Sequence, residues 1–233
     1  MPEAEDWNAH FEREKARFRD GEARLTNAEG ADARQRQLTR LGNAAGGAGL
    51  ALLMEGREQE AAEWLHRAAE RYRESFGDAP PGSWGRPIGA IKALLLAGDW
   101  PAAEDAARWA LDAGAAEAES PIGRYAAALA ELVLGRRTEA REHADWIRTH
   151  DDFPTDVGDA LAFLAAQDIL GYEVAVEAVL ESFEKREEYL EDIPVADTVL
   201  VLQTLAGRDG LAADLSSGLL PPSPAETADA GQP

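Results

Sequence analysis

The stretch LLLAGDWPAAEDAARWA, from Leu94 to Ala110, decides the fold. An apolar run ends in Gly98, a residue that enters the left-handed backbone closing a helix without steric cost. A polar residue follows, and Pro101 falls where the first turn of a new helix tolerates proline. Beyond it Ala103, Ala106, Ala107 and Ala110 recur every three or four positions, one apolar stripe of a 3.6-residue helix. The segment reads as helix, glycine stop, helix.

The same pattern returns along the chain. It stands in LLMEGREQEAAEWLHRA from Leu52, LVLGRRTEAREHADWI from Leu132, DILGYEVAVEAVLESF from Asp168 and TLAGRDGLAADLSSGL from Thr204. The glycines are Gly56, Gly98, Gly135, Gly171 and Gly207, spaced 42, 37, 36 and 36 residues apart. In a second register, RPIGAIKALLLAG (Arg86–Gly98) and SPIGRYAAALAELVLG (Ser120–Gly135) share Pro-Ile-Gly, with Gly89 and Gly123 34 residues apart. Ser120 reads as an N-cap with Pro121 at the first helical position, and Asp156 and Asp197 as starts of the next two units. Neither helix of such a pair buries its stripe alone, so the pairs must stack. The expectation is an all-α protein: an α-solenoid of about five antiparallel helix pairs with an extra N-terminal helix. A polar helix is expected over 4–27 and pairs over 32–76, 85–114, 120–150, 155–190 and 195–218, making 1–220 one domain and 221–233 a disordered tail.

GDWPA (Gly98–Ala102), with Ala103 next, is similar to the inter-helix turn of tetratricopeptide (TPR) repeats, and Gly49 falls where that family sets a small residue against the second helix. The resemblance covers roughly 32–218. Ile91, Ala128, Leu164 and Leu200 replace the small residue of Gly49, and the period exceeds the family's throughout. The resemblance implies a protein-interaction scaffold or adaptor. Members that grip peptide C-termini use Lys, Arg and Asn along their first helices. Here the matching positions are Ile88, Leu95, Leu96, Tyr125, Leu129, Leu132 and Val133, and only Lys92 keeps a cationic type, so the family's carboxylate clamp is not expected. The apolar inner face is left to neighbouring units, to the C-terminal helices or to an amphipathic partner helix.

No enzymatic constellation is present: no GxSxG, P-loop, HExxH or strand-to-helix GxGxxG. The glycines of GNAAGGAG (Gly42–Gly49) lie in an apolar helical pattern and read as close helix packing. His143 and His150 offer too few converging ligands for a metal, and no cofactor is expected. Recognition candidates are Trp84, Arg86, Lys92, Trp100 and Arg124, aromatics and cations at turns and on one rim, suited to a carboxylate or acidic peptide. The alternative for the same residues is internal pairing with the abundant acids. Two further functional expectations stand beside the adaptor. One is a small-molecule-binding protein or enzyme with a pocket near the Gly77–Gly85 loop. The other is a homodimer through the N-terminal helix, whose Trp7, Phe11, Phe18 and Leu25 form an apolar stripe.

Charge narrows the partners. The net charge is −21, with 44 acids against 20 Arg and only Lys15, Lys92 and Lys185. Such a field repels phosphate backbones and anionic membranes, so neither nucleic acid nor membrane is an expected partner. With no Cys there are no disulfides, and the N-terminus has no secretory pattern, so a cytoplasmic location is expected. The excess of carboxylate reads as adaptation to high salt. Circular dichroism at very low ionic strength tests this: self-repulsion should lower the helical signal, and added salt should restore it. A signal indifferent to salt removes the adaptation.

Overall fold

Alanine-rich stripes and short punctuating turns leave little material for strands. The computed structural model describes residues 5–222 and, among them, holds ten α-helices and no strand. They are α1 (Trp7–Leu25), α2 (Ala31–Met54), α3 (Glu58–Phe76), α4 (Gly85–Leu96), α5 (Trp100–Asp112), α6 (Pro121–Val133), α7 (Arg137–Ile147), α8 (Thr155–Ala166), α9 (Ile169–Glu184) and α10 (Asp197–Arg208). Short 3₁₀ turns occupy Ala115–Glu117 and Leu190–Asp192. None of these helices is long and apolar enough to cross a membrane. Part of the expected tail, residues 223–233, lies outside the described residues.

One motif ends α2, α4, α6, α8 and α10. An amide two or three residues past the helix bonds back to a carbonyl five residues earlier: Arg57 to Leu52 (2.9 Å), Asp99 to Leu94 (3.1 Å), Arg136 to Glu131 (2.8 Å), Asp168 to Phe163 (3.0 Å) and Leu211 to Ala206 (2.9 Å). The residue between must turn left-handed. Gly56, Gly98 and Gly135 do so, at φ of 71°, 72° and 73°. The expected Gly171 and Gly207 do not, because the stops fall at Gln167 (φ 55°) and Gly210 (φ 72°) instead. Asp168 then caps α9 by accepting from the Gly171 amide (3.0 Å), which places Gly171 inside the helix with the Phe163 ring where a Cβ would stand.

New helices start as local chemistry directs. Asp6, Asp99 and Ser120 accept from amides three residues on, at 2.9, 3.0 and 3.3 Å. Asp156 and Asp197 do not cap; they are the second residue of α8 and the first of α10, after Pro154 and Ala196 at the cap positions.

Packing runs from each helix to the next, and α2, α4, α6 and α8 also meet every second neighbour. The alanine stripe of α5 is buried, as are Ala61, Leu65 and Ala68 of α3. Gly49 lets Leu65 approach so closely that a Cβ would lie 2.6 Å from it, as the small-residue reading requires. Gly42 and Gly49 of GNAAGGAG are close packing surface for α3, whereas Gly46 faces the same helix with room to spare. On α1, Phe11 and Phe18 are buried edge-on against Trp64 (5.9 and 5.4 Å), with Trp7 and Leu25 packed on the same core. Of the apolar stripe of α1, Phe11 and Phe18 are thus buried within the chain and Trp7 and Leu25 partly so.

The C-terminus departs from the expected fifth pair, because among the described residues no helix follows α10. Ser216, Ser217 and Gly218 are weak helix formers, and Gln203 offers a backbone-like partner instead. Its amide accepts from Ala213 N (3.1 Å) and donates to Ala213 O. Ala196 N donates to Leu219 O (3.0 Å), laying the strand-less segment 211–220 along α10. α10 itself packs on α4, α8 and α9.

Two glycines that look alike in sequence should therefore respond oppositely to alanine. Gly98→Ala puts a Cβ in the left-handed turn and should cost about 1 kcal/mol. Gly207→Ala lies within α10 with open space around it and should stabilise by up to about 1 kcal/mol. Urea melts of both variants check the pair.

Candidate functional site

A cavity of about 390 Å³ opens between α2, α3, α4 and the segment 183–197. Its existence follows from small residues in α2: Gly46 and Gly47 line it where longer side chains would fill it. Leu50, Leu65, Ala68, Ile88 and Leu96 form an apolar wall, with Ile193 opposite. Thr39, Asn43, Tyr72, Arg86, Lys92, Arg186, Tyr189, Glu191 and Asp197 supply the polar lining.

Tyr72 fixes the shape. Its ring is held between Gly42 of α2 and Gly89 of α4, since a Cβ on either would stand 2.7 Å from it. The hydroxyl donates to Asn43 Oδ1 (3.0 Å), and Asn43 Nδ2 donates to Glu191 Oε1 (3.1 Å). Burial raises the Tyr72 phenol well above its ordinary range, so it stays a neutral donor.

The segment 189–193 is pinned rather than loose. Glu191 and Asp192 carry positive φ (56° and 54°), a conformation costing about 1–3 kcal/mol per residue that persists only under outside constraint. The constraint is visible: Arg17 pairs with Glu191 Oε2 (2.7 Å), and Arg13 donates to the carbonyls of Glu191 (2.8 Å) and Asp192 (3.3 Å). The fully buried Glu14 holds both arginines in place, at 2.9 Å each.

Two cations anticipated from sequence meet here. Lys92, its side chain 15% exposed, pairs with Asp197 at the start of α10 and donates to Thr198 Oγ1 (3.2 Å). Burial pulls the ammonium down, but the Asp197 carboxylate outweighs it, and the group lies above its ordinary value. Arg86, half-buried, donates from Nε to Ser75 Oγ (2.8 Å) and from Nη2 to Gln35 Oε1. Both partners are neutral, and burial lowers its pKa with no carboxylate opposing.

The other three candidates lie elsewhere. Trp84 covers Gly123 and tilts against Phe76 (6.2 Å). Trp100 sits beneath the Arg208 guanidinium (4.6 Å). Arg124 donates to Ala116 O and faces His143 Nδ1 (3.2 Å), over the Trp146 ring (5.2 Å). Burial, then the nearby Arg124 charge, lowers the His143 pKa, while His150 stacks on Trp146 (3.7 Å). No three His, Asp or Glu side chains are grouped to hold a metal among the described residues.

Sequence reading did not pick out Asn43, Tyr72, Arg186, Glu191 or Asp197 as site residues. Asn43 offered a signal, as a polar residue within an otherwise small and apolar run. A separate surface feature lies on α9, where Ile169, Leu170 and Val174 are 54%, 74% and 69% exposed. No protein-family model matches the chain, and neither a curated protein nor a solved structure matches it.

Lys92 tethers α10 to α4, and the pair's energetics can be separated by a double-mutant cycle. Lys92→Met strands a largely enclosed carboxylate and should cost about 1–3 kcal/mol. Adding Asp197→Leu should recover most of it, so that the two changes are strongly non-additive in urea melts. Because the folded ammonium is raised, the pair's contribution is complete below about pH 10 and is lost as pH climbs through the raised value.

Proposed function

We propose that the chain is a non-enzymatic binding protein on a TPR-like α-solenoid of stacked antiparallel helix pairs, and that the cavity between α2–α4 and residues 183–197 is its recognition element. The repeated helix-ending motif, the packing of each helix on the next and the contacts between alternate helices support the stacked arrangement. The observation that carries the binding reading is the cavity itself. At about 390 Å³ it falls in the size range of ligand sites, about 300–1,000 Å³, with mostly apolar walls and a few fixed polar groups. Its lysine and carboxylates are spent on structure: Lys92 on Asp197, Glu191 on Arg17 and Asn43. A general base or nucleophile needs one such group held ready for a substrate.

The test is to express the protein in cells, denature it and identify released small molecules by mass spectrometry, beside a Gly46→Leu variant. A Cβ on Gly46 meets only Ala68 Cβ and the Tyr72 hydroxyl at 3.9 Å, so leucine adds bulk to the cavity while leaving α2 intact. A compound released from the wild type and missing from the filled variant supports the reading. Equal release from both, or none from the wild type, overturns it.

The adaptor reading has its own support in the exposed Ile169, Leu170 and Val174. Adjacent aliphatic side chains left in water on an acidic surface mark a protein contact. On this reading α10 and residues 190–197 occupy the inner face where related repeats take peptides, and the partner docks on α9. Leu170→Asp with Val174→Asp should leave helicity unchanged and abolish partner capture; capture at wild-type level sinks it.

A further inference from the structure

Acids outnumber Arg and Lys by 44 to 23 in this chain, so a half-buried guanidinium without a carboxylate calls for a physical reason. Arg86 is such a group among the described residues. A guanidinium offers five N–H donors; here Ser75 and Gln35 take one each. The two carboxylates that share the cavity do not compensate it. Asp197 is engaged by Lys92, and Glu191 by Arg17 and Asn43. Three cations, Arg86, Lys92 and Arg186, thus face two committed carboxylates, and the cavity carries a local positive excess inside a strongly negative protein. Arg186 lies over the Phe183 ring at 3.5 Å and has no carboxylate within ion-pair distance among the described residues.

We propose that the cavity binds a small amphipathic monocarboxylate, its carboxylate on Arg86 and its apolar body along Leu50, Leu65, Ile88, Leu96 and Ile193. The inference rests on the cavity being a recognition element and adds the chemical class of its ligand. A carboxylate matches the planar fork of the unused donors and takes two of them at once. The ligand carries one charge because the local excess is small, and the acidic surroundings, felt within a Debye length of about 10 Å at 0.1 M salt, penalise every additional negative group. The body is apolar because Leu50, Leu65, Ile88, Leu96 and Ile193 give the cavity an aliphatic wall, against which a polar chain would be desolvated without return.

Calorimetric titration with octanoate and with 1-octanol, in one buffer, tests the proposal without any variant. The two share a tail and differ at the head. Octanoate should bind the wild type at least tenfold more tightly. Arg86→Gln should reduce octanoate to the level of octanol while leaving octanol unchanged, and Arg86→Lys, which keeps the charge and loses the fork, should fall between. Gly46→Leu should weaken both ligands together. If octanoate binds the wild type no tighter than octanol, or binds Arg86→Gln undiminished, the carboxylate assignment is overturned while the cavity remains a binding site. If neither ligand binds the wild type, or Gly46→Leu leaves both affinities unchanged, the assignment and the recognition reading fall together.

Discussion

Alanine is the constraint behind this structure. Each alanine-faced helix has little apolar area to bury, at roughly 25 cal/mol per Å², and gains stability only by lying close to its neighbours. Close approach in turn demands small residues where backbones meet. Gly49 against Leu65, Gly123 against Trp84 and Gly171 against Phe163 meet that demand. Large side chains are then placed one at a time into gaps opened by glycine, and Tyr72 between Gly42 and Gly89 is the clearest example.

The cavity is a by-product of the same economy that function can use. Gly46 and Gly47 leave space in α2 that the lining side chains of α3 and α4 do not fill. The segment 183–197 closes the opposite side, held by Arg13, Arg17 and Asn43 at one end and by the Lys92–Asp197 pair at the other. Left-handed backbone at Glu191 and Asp192 is tolerated because these attachments are made by α1, α2 and α4, elements far away in the chain. Charge is distributed with similar selectivity. Most cations sit on surface carboxylates, where pairs contribute little, whereas Lys92 and Arg86 lie on the cavity and answer to different partners.

Three of the five helix stops were legible because glycine at the left-handed position needs nothing from the rest of the fold. At the fourth, Gln167 takes that conformation, which single residues of this kind seldom adopt, and Gly171 is drawn away as a contact for Phe163. At the fifth, Gly207 and Gly210 lie three residues apart and local pattern does not choose between them. The missing helix after α10 depends on Gln203 capturing Ala213, a side-chain choice with no signature in periodicity. Among site residues, Arg86 and Lys92 were visible as rare cations on one helix. Their partners, Ser75, Gln35 and Asp197, were not, since they are brought in from α3, α2 and α10.

The sequence by itself determined the helical class, the positions of most helices, the repeated turn and the acidic surface. Each of these follows from interactions within a few residues or from composition. Tertiary structure decided where α10 goes, which cations are neutralised and that a cavity remains between α2, α3, α4 and the segment 183–197. Those outcomes turn on contacts between residues as far apart as Arg13 and Glu191 or Lys92 and Asp197. Periodicity carries no record of them, because a helix face says that it must be covered but not by what.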